Sequence, residues 1–556
     1  MLVVLRVATF RPLPLSGESP VDGYTRVAGV VHVHTTLSDG GGVPSEVIAA
    51  ARKSGLGFLG ITDHNNLDAK PAEGYHGPLL VLVGSELSTT AGHLVGLGID
   101  DPVYRFSGDA RDGLEDVRDL GGASFAAHPT SPRDDLRWTG WDLPGPWGLE
   151  LLNGDSEWRR ASWGRLARLG ALYAVNARYA LLSGLTPPKE ALARWDALLA
   201  RRDVSGIVGA DAHSRVPITK KRSLRFPSYE ALFGLARNHV LLPAPLRGEA
   251  GPDAVTIVEA LRRGRAYVGL DALAAADGFS FTAESLGRRF TMGDEVVAGP
   301  EVRFSVRGRM PAGARIILLR DGQPLAESEP PLTLSAPGPG VYRVEARIAG
   351  WDVPWILTNP IYVFDPPVQE ARSAKAAWPH PAPAPSPAAV LDDFEGHSIF
   401  APEHDPSSTM ALPVLEPGAG VDGGGAGRLA FRLGIPGPAH PHTWCSLVNR
   451  EARDLRGRTG LVFGLRADGV YRLWVQVRDA NPASADEGTE WWFASVRTGR
   501  EWRRVVVPFA GLRSVNPRTD GRLDLDQVKA LLFTLDRGAV KPGSSGSIWI
   551  DDVGLY

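Results

Sequence analysis

From about residue 28 to 280, short apolar runs alternate with amphipathic stretches, and this rhythm predicts an α/β domain with a largely parallel sheet. Strands are expected near 29–34, 57–62, 79–83, 92–98, 123–128, 148–153, 206–213 and 266–270. Helices are expected at 43–51, about 110–120, around 158–169, 187–201 and 252–263. Pro44 and Ser45 stand where a helix start tolerates or prefers them.

Near residue 290 the periodicity changes to strict alternation. Strands at 301–306, 314–320, 340–347 and 359–364, with the turn Asp321-Gly322 between two of them, predict a small β-sandwich of immunoglobulin-like size. Its Trp351 and Trp355 read as core or interface anchors. Residues 366–390 are rich in Pro and Ala and read as a linker, within which 379–387 reads as a semi-rigid polyproline spacer. Beyond it, strands near 460–465, 471–477, 491–493, 502–507, 530–534 and 547–550 predict a jelly-roll module. The expected division is therefore an α/β domain at 1–282, a sandwich at 283–365, a linker at 366–390 and a jelly-roll module at 391–556.

A chain of 556 residues is too long for one core, which agrees with this division. Hydrophobic residues at 43% and charged residues at 22% describe ordinary globular material. A net charge of -3 exerts no bulk attraction on nucleic acid or anionic lipid, so no specific nucleic-acid binding is expected. Cys445 is the single cysteine, which excludes internal disulfides and thiolate-rich metal sites. Any metal must be held by nitrogen and oxygen. No apolar stretch approaches the roughly 20 residues of a membrane span. The apolar start at residues 1–5 is cut by Arg6 and Arg11 before a normal signal-peptide core, so no complete signal is present in this chain. An extracytoplasmic location is favoured slightly over a cytoplasmic one.

The chemistry begins at His32-Val-His34. On a strand both imidazoles point to one face, close to the strand's end, where an α/β barrel gathers its functional side chains. The same position recurs after other apolar runs: Asp63 and His64 after 57–62, Glu86 after 79–83, His128 after 123–127, and Asp211 and His213 after 206–210, while His93 opens a run. Glu150 and Asn153 end another strand on this rim and are expected to line the pocket. In the last module Trp444, Trp474, Trp491 and Trp492 either supply a flat face for sugar rings or fill the core. Asp392, Asp393, Asp551 and Asp552 are candidates for a structural calcium ion there.

Taken in order, His32-Val-His34, Ser38-Asp39-Gly40, Thr62-Asp63-His64, Gly84-Ser-Glu86, His93-Leu-Val-Gly-Leu, Ala127-His128-Pro129 and Asp211-Ala-His213 resemble the motifs of the PHP (polymerase and histidinol phosphatase) family of metal-dependent phosphoesterases. The resemblance covers about half the chain. It implies a distorted (β/α)7 barrel with two or three divalent metals (Zn, Mn or Fe) on its rim. One metal would be held by His32, His34, Glu86 and Asp211. Glu86 would bridge to a second, bound also by His93 and His128, and Asp39, His64 and His213 would hold a third. The sandwich around Pro354-Trp355 and Asn359-Pro360 resembles an extension found on a bacterial subgroup of the family. The C-terminal part resembles galactose-binding-like or carbohydrate-binding modules, which would bind glycan through residues 391–556.

What the resemblance implies is hydrolysis of a small phosphorylated substrate, a phosphomonoester or phosphodiester, by a metal-activated hydroxide. The catalytic candidates are Asp211, Asp63 and His213; either of the last two is placed to protonate a leaving alkoxide, or Asp63 instead orients a ligand histidine. Arg178, Lys220, Arg222 and Asn153 are the candidate contacts to substrate, three of them as a cationic clamp for phosphate. Two other readings stand beside this one: amide or ester hydrolysis at the same centre, and a non-catalytic glycan-binding surface protein whose barrel is a scaffold.

Overall fold

The computed structural model describes residues 7–154, 162–219, 222–379, 383–484, 488–516 and 518–556. The chain is multidomain and mostly β, with eight α-helices among the described residues. It divides into two compact units, Met1–Asp101 with Ser107–Pro379, and Pro102–Phe106 with His380–Tyr556. No helix among the described residues is long and apolar enough to cross a membrane.

The first unit is organised around β1 (Thr25–Val33), which lies parallel to β2 (Phe58–Ile61) on one side and to β8 (Gly206–Ala212) on the other. Next to β2 runs β3 (Leu79–Val83), continued after Gly84 by β4 (Ser85–Thr89). A tight turn reverses the chain into β5 (Gly92–Leu97), antiparallel both to β4 and to β6 (Ala123–Ala126). From β6 the parallel order resumes through β7 (Trp147–Asn153) to β8, and the sheet closes on itself. Within the closed ring the expectation of a largely parallel sheet therefore meets one reversed strand, β5, which the alternation of apolar and polar residues does not encode.

These strands are continuous apolar runs because both of their faces are covered. Val31, Phe58, Leu82, Val95, Phe125 and Ile207 form one core cluster with residues of the helix Ala250–Arg262. The helix Pro44–Lys53 starts with proline, and Glu46 accepts a hydrogen bond from the Val43 N–H at 3.1 Å, satisfying one donor of its first turn. In the region where helices were expected at about 158–169 and 187–201, the described residues form helices Trp163–Val175, Ala177–Gly184 and Lys189–Leu199. Asn176 separates the first two: its backbone is extended and its side chain caps the second through the Tyr179 N–H.

The first half of β1 pairs antiparallel with β9 (Arg237–Leu242), β9 with β10 (Ala266–Gly269), and β10 with Ile356–Thr358. The barrel sheet thus runs on into the β-rich region, where Gly340–Ile348 pairs with Ala314–Arg320 and Ile361–Phe364. A second, four-stranded antiparallel sheet holds Phe279–Ser285 and Arg303–Gly308, and Phe304 packs on Tyr342 at 4.4 Å between ring centroids. Trp355 is fully buried and donates its indole N–H to the Ala274 carbonyl. Residues 380–382 of the expected polyproline stretch lie outside the described residues, while 366–376, read from sequence as the start of the linker, form a helix instead. Two prolines open it, and its buried Gln369 and Arg372 both bond Asp203.

The second unit consists mainly of two antiparallel sheets of seven and six strands, with Phe400, Phe463 and Phe533 between them. Along Arg472–Ala480, buried Leu473, Val475 and Val477 alternate with Trp474, Gln476 and Arg478 on the opposite face. Trp492 belongs to the buried face and donates to Asp479, so of the four tryptophans considered for sugar stacking it is the one in the core. Of the aspartates considered for calcium, Asp392, Asp393 and Asp551 bond the backbone, and Asp552 faces Arg504. Asp392 accepts from the Phe394 and Ile399 N–H groups, and Asp551 from those of Val421 and Asp552. Among the described residues, no three acidic or histidine side chains of this unit come within cation-binding reach of one another.

Candidate metal centre

All nine side chains expected as ligands converge at one rim of the barrel. Glu86 lies at their middle: its Oε2 is 3.1 Å from Nε2 of His32, 3.1 Å from Nε2 of His34 and 3.3 Å from Nδ1 of His64. Its Oε1 is 2.7 Å from Nδ1 of His93 and 2.9 Å from Nε2 of His128. Asp211 faces the same two inner histidines, at 3.4 Å from His32 and 3.6 Å from His34. At the mouth, Asp39 is 3.1 Å from Nε2 of His213 and 3.7 Å from Nε2 of His64.

Three of these residues have left-handed backbones: His32 (φ 63°), His128 (φ 30°) and Asp211 (φ 48°). Such a conformation costs about 1–3 kcal/mol in a non-glycine residue and persists only where its surroundings over-determine it. At two of them the strand register also slips, between Val30 and Val33 of β1 and between Gly209 and Ala212 of β8. The bulges tighten the strand ends and turn the side chains inward. His93 reaches the same rim because β5 runs backwards, so that its start lies beside the ends of the parallel strands.

The depth of the ligands is graded. The His32 and His34 side chains are fully buried, those of His213 and His64 are 17% and 26% exposed, and that of Asp39 is 51% exposed. Burial raises the cost of charge on Glu86 and Asp211, yet the surrounding histidines, His32 foremost, hold both carboxyls well below their ordinary range. Burial likewise opposes charge on His32, but Glu150, Asp211 and Glu86 raise it well above the usual imidazole value. For His64, burial prevails and lowers it.

This arrangement fits divalent cations. Nε2 of His32 and of His34 have no hydrogen-bond partner although both are buried, and each is aimed at carboxylate oxygens. Lone pairs facing carboxylates in a dry site repel one another unless a proton or a metal cation lies between them. The ligand atoms of His32, Glu86 and His128, of His32, His34 and Asp211, and of His34, Asp39, His64 and His213 each lie within 4.8 Å of one another. With imidazole and carboxylate only, the set suits Zn, Mn or Fe.

The remaining site candidates fall out differently. Asp63 is buried and accepts from the Thr35 N–H, the Thr35 hydroxyl and the Ser38 hydroxyl, which pins the loop that carries His34. His213 stacks on His34 at 4.1 Å, and its Nδ1 donates to the Asp211 carbonyl. Asn153 donates an amide N–H to Oε2 of Glu150 at 2.7 Å. Arg178 lines a separate cavity of about 400 Å³ with Phe10, Asn176 and Ser228 that includes none of the nine ligands. Arg222 is exposed on a hairpin formed with Val216–Thr219. Lys220 lies outside the described residues. Among the described residues Arg215, also exposed, reaches the mouth, donating to the Asp39 carbonyl at 3.1 Å.

Tyr229 carries no sequence signal, yet it ties the site together: its hydroxyl lies 2.8 Å from the His34 carbonyl and 3.0 Å from that of His213. A tyrosine inside a short helix reads from sequence as core.

No family model matches the chain. An uncharacterized protein of Methanocaldococcus jannaschii is 29% identical over 117 residues, 18% of this chain and 67% of that protein. Among solved structures, a two-domain protein of Bacteroides vulgatus containing a predicted PHP-like metal-dependent phosphoesterase aligns with 63% of this chain and 99% of its own, at 16% identity and a TM-score of 0.29. A family 11 carbohydrate-binding module of Clostridium thermocellum, in complex with a β-1,3-1,4-mixed-linked tetrasaccharide, aligns with 30% of this chain and 94% of its own, at 18% identity and a TM-score of 0.25.

Proposed function

We propose that the barrel of this protein hydrolyses a phosphoester at a centre of two or three divalent cations. The observation that carries the reading is the double-sided placement of Glu86, with one carboxylate oxygen toward His32, His34 and His64 and the other toward His93 and His128. A cation cluster held there supplies water of lowered pKa as a nucleophile and neutralises the charge that develops on phosphoryl oxygens. The chain's own groups divide the remaining work. Asp211 and Glu86 keep the floor of the site anionic and dry, while Asp39, His64 and His213 form the solvent-facing mouth through which a substrate enters. With no cation at the mouth, His213 would move the leaving group's proton through Nε2, which faces Asp39; Asp63, filled by three donors, orients the His34 loop. Arg215 provides positive charge at the entrance.

In this division residues 1–282 hold the catalytic barrel, 283–365 a supporting sandwich and 391–556 a module that binds glycan. Trp474 and Phe493, 5.1 Å apart, share an outward sheet face with Trp491, over which Arg478 stacks at 3.9 Å. Flat rings beside polar groups suit the apolar faces and hydroxyls of sugars. A glycan-directed module favours an extracytoplasmic site of action. The test is turnover of a broad panel of phosphomonoesters and phosphodiesters by full-length protein loaded with Mn or Zn. Activity that disappears in His32→Ala and in Asp211→Ala supports the reading, and cleavage of esters or amides alone replaces the reaction class.

A further inference from the structure

Glu150 is fully buried, and its carboxylate receives three hydrogen bonds. Oε1 is 2.6 Å from Nδ1 of His32, and Oε2 accepts from the His128 backbone N–H at 2.6 Å and from the Asn153 amide at 2.7 Å. The two donors on Oε2 belong to groups that can only donate there, so the carboxylate's other oxygen is left to take a proton from His32. This fixes the ring with its proton on Nδ1, and leaves Nε2, which has no hydrogen-bond partner, turned toward Glu86 and Asp211.

Space for this carboxylate comes from the next strand. A Cβ on Gly209 would fall 1.7 Å from Oε1 of Glu150 and 2.2 Å from its Cδ. Gly209 sits in register between Asn153 of β7 and Val31 of β1, beside both partners of the contact. Its φ is not in the left-handed region, so backbone freedom is not what the position requires. It requires the missing side chain.

We infer that Glu150 is a positioning residue for the metal centre, holding His32 in the tautomer and orientation that present Nε2 to a cation, and that Gly209 is the vacancy that admits it. This rests on the metal-centre reading given above. A carboxylate behind a ligating imidazole fixes the ring and makes the other nitrogen a better donor. The sharpest consequence concerns Glu150→Gln. The glutamine carbonyl must take the place of Oε2, where two donors meet, which turns its NH2 group toward Nδ1 of His32. The amide then donates where the carboxylate accepted, the imidazole proton moves to Nε2, and that nitrogen loses its lone pair.

The experiment is zinc titration of the metal-free full-length protein, wild type against Glu150→Gln and Gly209→Ala, with cation content by elemental analysis. Expected is a loss of about 10- to 100-fold in affinity for one cation of the set in both variants. Gly209→Ala reaches the same result by a different route, displacing the end of Glu150 rather than changing its hydrogen bonding. In parallel, long-range proton–nitrogen spectra of zinc-loaded wild type labelled in histidine, with His32 assigned by its loss in His32→Gln, should show the proton on Nδ1 and zinc on Nε2. Zinc on Nδ1, or undiminished affinity in either folded variant, overturns the role of Glu150. Wild type that takes up no cation overturns the metal-centre reading instead.

Discussion

Asp63, at the end of β2, accepts both the backbone N–H and the hydroxyl of Thr35, each at 2.8 Å, and so ties two neighbouring strand ends of the barrel rim together. Because Ser38 donates to the same carboxylate and also lies 3.4 Å from Nδ1 of His34, the tie reaches a ligand histidine through one hydroxyl. Asp63→Ala should therefore destabilise the unit that contains the barrel by about 2–4 kcal/mol in urea unfolding, since it strands buried donors. It should also weaken cation binding. Unchanged stability with activity alone abolished would make Asp63 a proton donor after all.

The two oxygens of Glu86 serve different groups, so the centre should lose cations in steps. Glu86→Gln should remove both inner cations, while Asp39→Ala should remove only the one at the mouth, where Asp39 is half exposed. Elemental analysis after dialysis measures both. Equal losses from the two variants would mean that the nine ligands act as a single indivisible site.

In the second unit Asp479 is buried, accepts the Trp492 indole N–H and the Asp524 backbone N–H, and has Glu490 nearby; burial raises its carboxyl to about 6. Asp551, also buried, is raised as well. A folded-state acid that titrates above its unfolded value is stabilising while protonated. Stability of this unit should accordingly be greatest near pH 4.5 and fall as pH rises to about 6, by about 2 kcal/mol, then level off. Thermal unfolding across pH 4.5–7.5 checks this, and in Asp479→Ala the slope should shrink. A midpoint that rises with pH across that window would contradict it.

The outward sheet face of the same unit gives a binding prediction. On the proposed glycan-binding reading, Trp474→Ala and Trp491→Ala should each weaken glycan binding by about 1–2 kcal/mol, roughly 5- to 30-fold, while leaving the fold intact, because neither ring belongs to the buried face. Calorimetric titration of the full-length variants against a polysaccharide panel measures it. Undiminished binding in both would move the glycan site elsewhere or remove it.

Much of this was readable in one dimension, and the reasons are physical. His32 and His34 share a face because a strand has a period of two, and Glu86, His128 and Asp211, among other candidate ligands, follow apolar runs because barrel sites collect at strand ends. The register slips that turn His32 and Asp211 inward leave no such periodic trace, nor does the reversal of β5 that brings His93 to the rim. Glu150 stood on the right strand, but its work depends on Gly209 of another strand. Arg178 was attractive for its charge alone, and packing placed it on a separate cavity. The stretch at 366–376 read as the start of a linker because prolines at a helix start and in an extended segment look alike without the buried partner Asp203.

By itself, then, the sequence determined which residues could bind a cation and which strands would carry them, since local periodicity and ligand chemistry depend only on near neighbours along the chain. Tertiary structure alone decided how those residues divide between floor and mouth, which carboxylate stands behind which histidine, and which arginine reaches the entrance. Each of those is a distance between residues far apart in sequence, and only the closed sheet sets such distances.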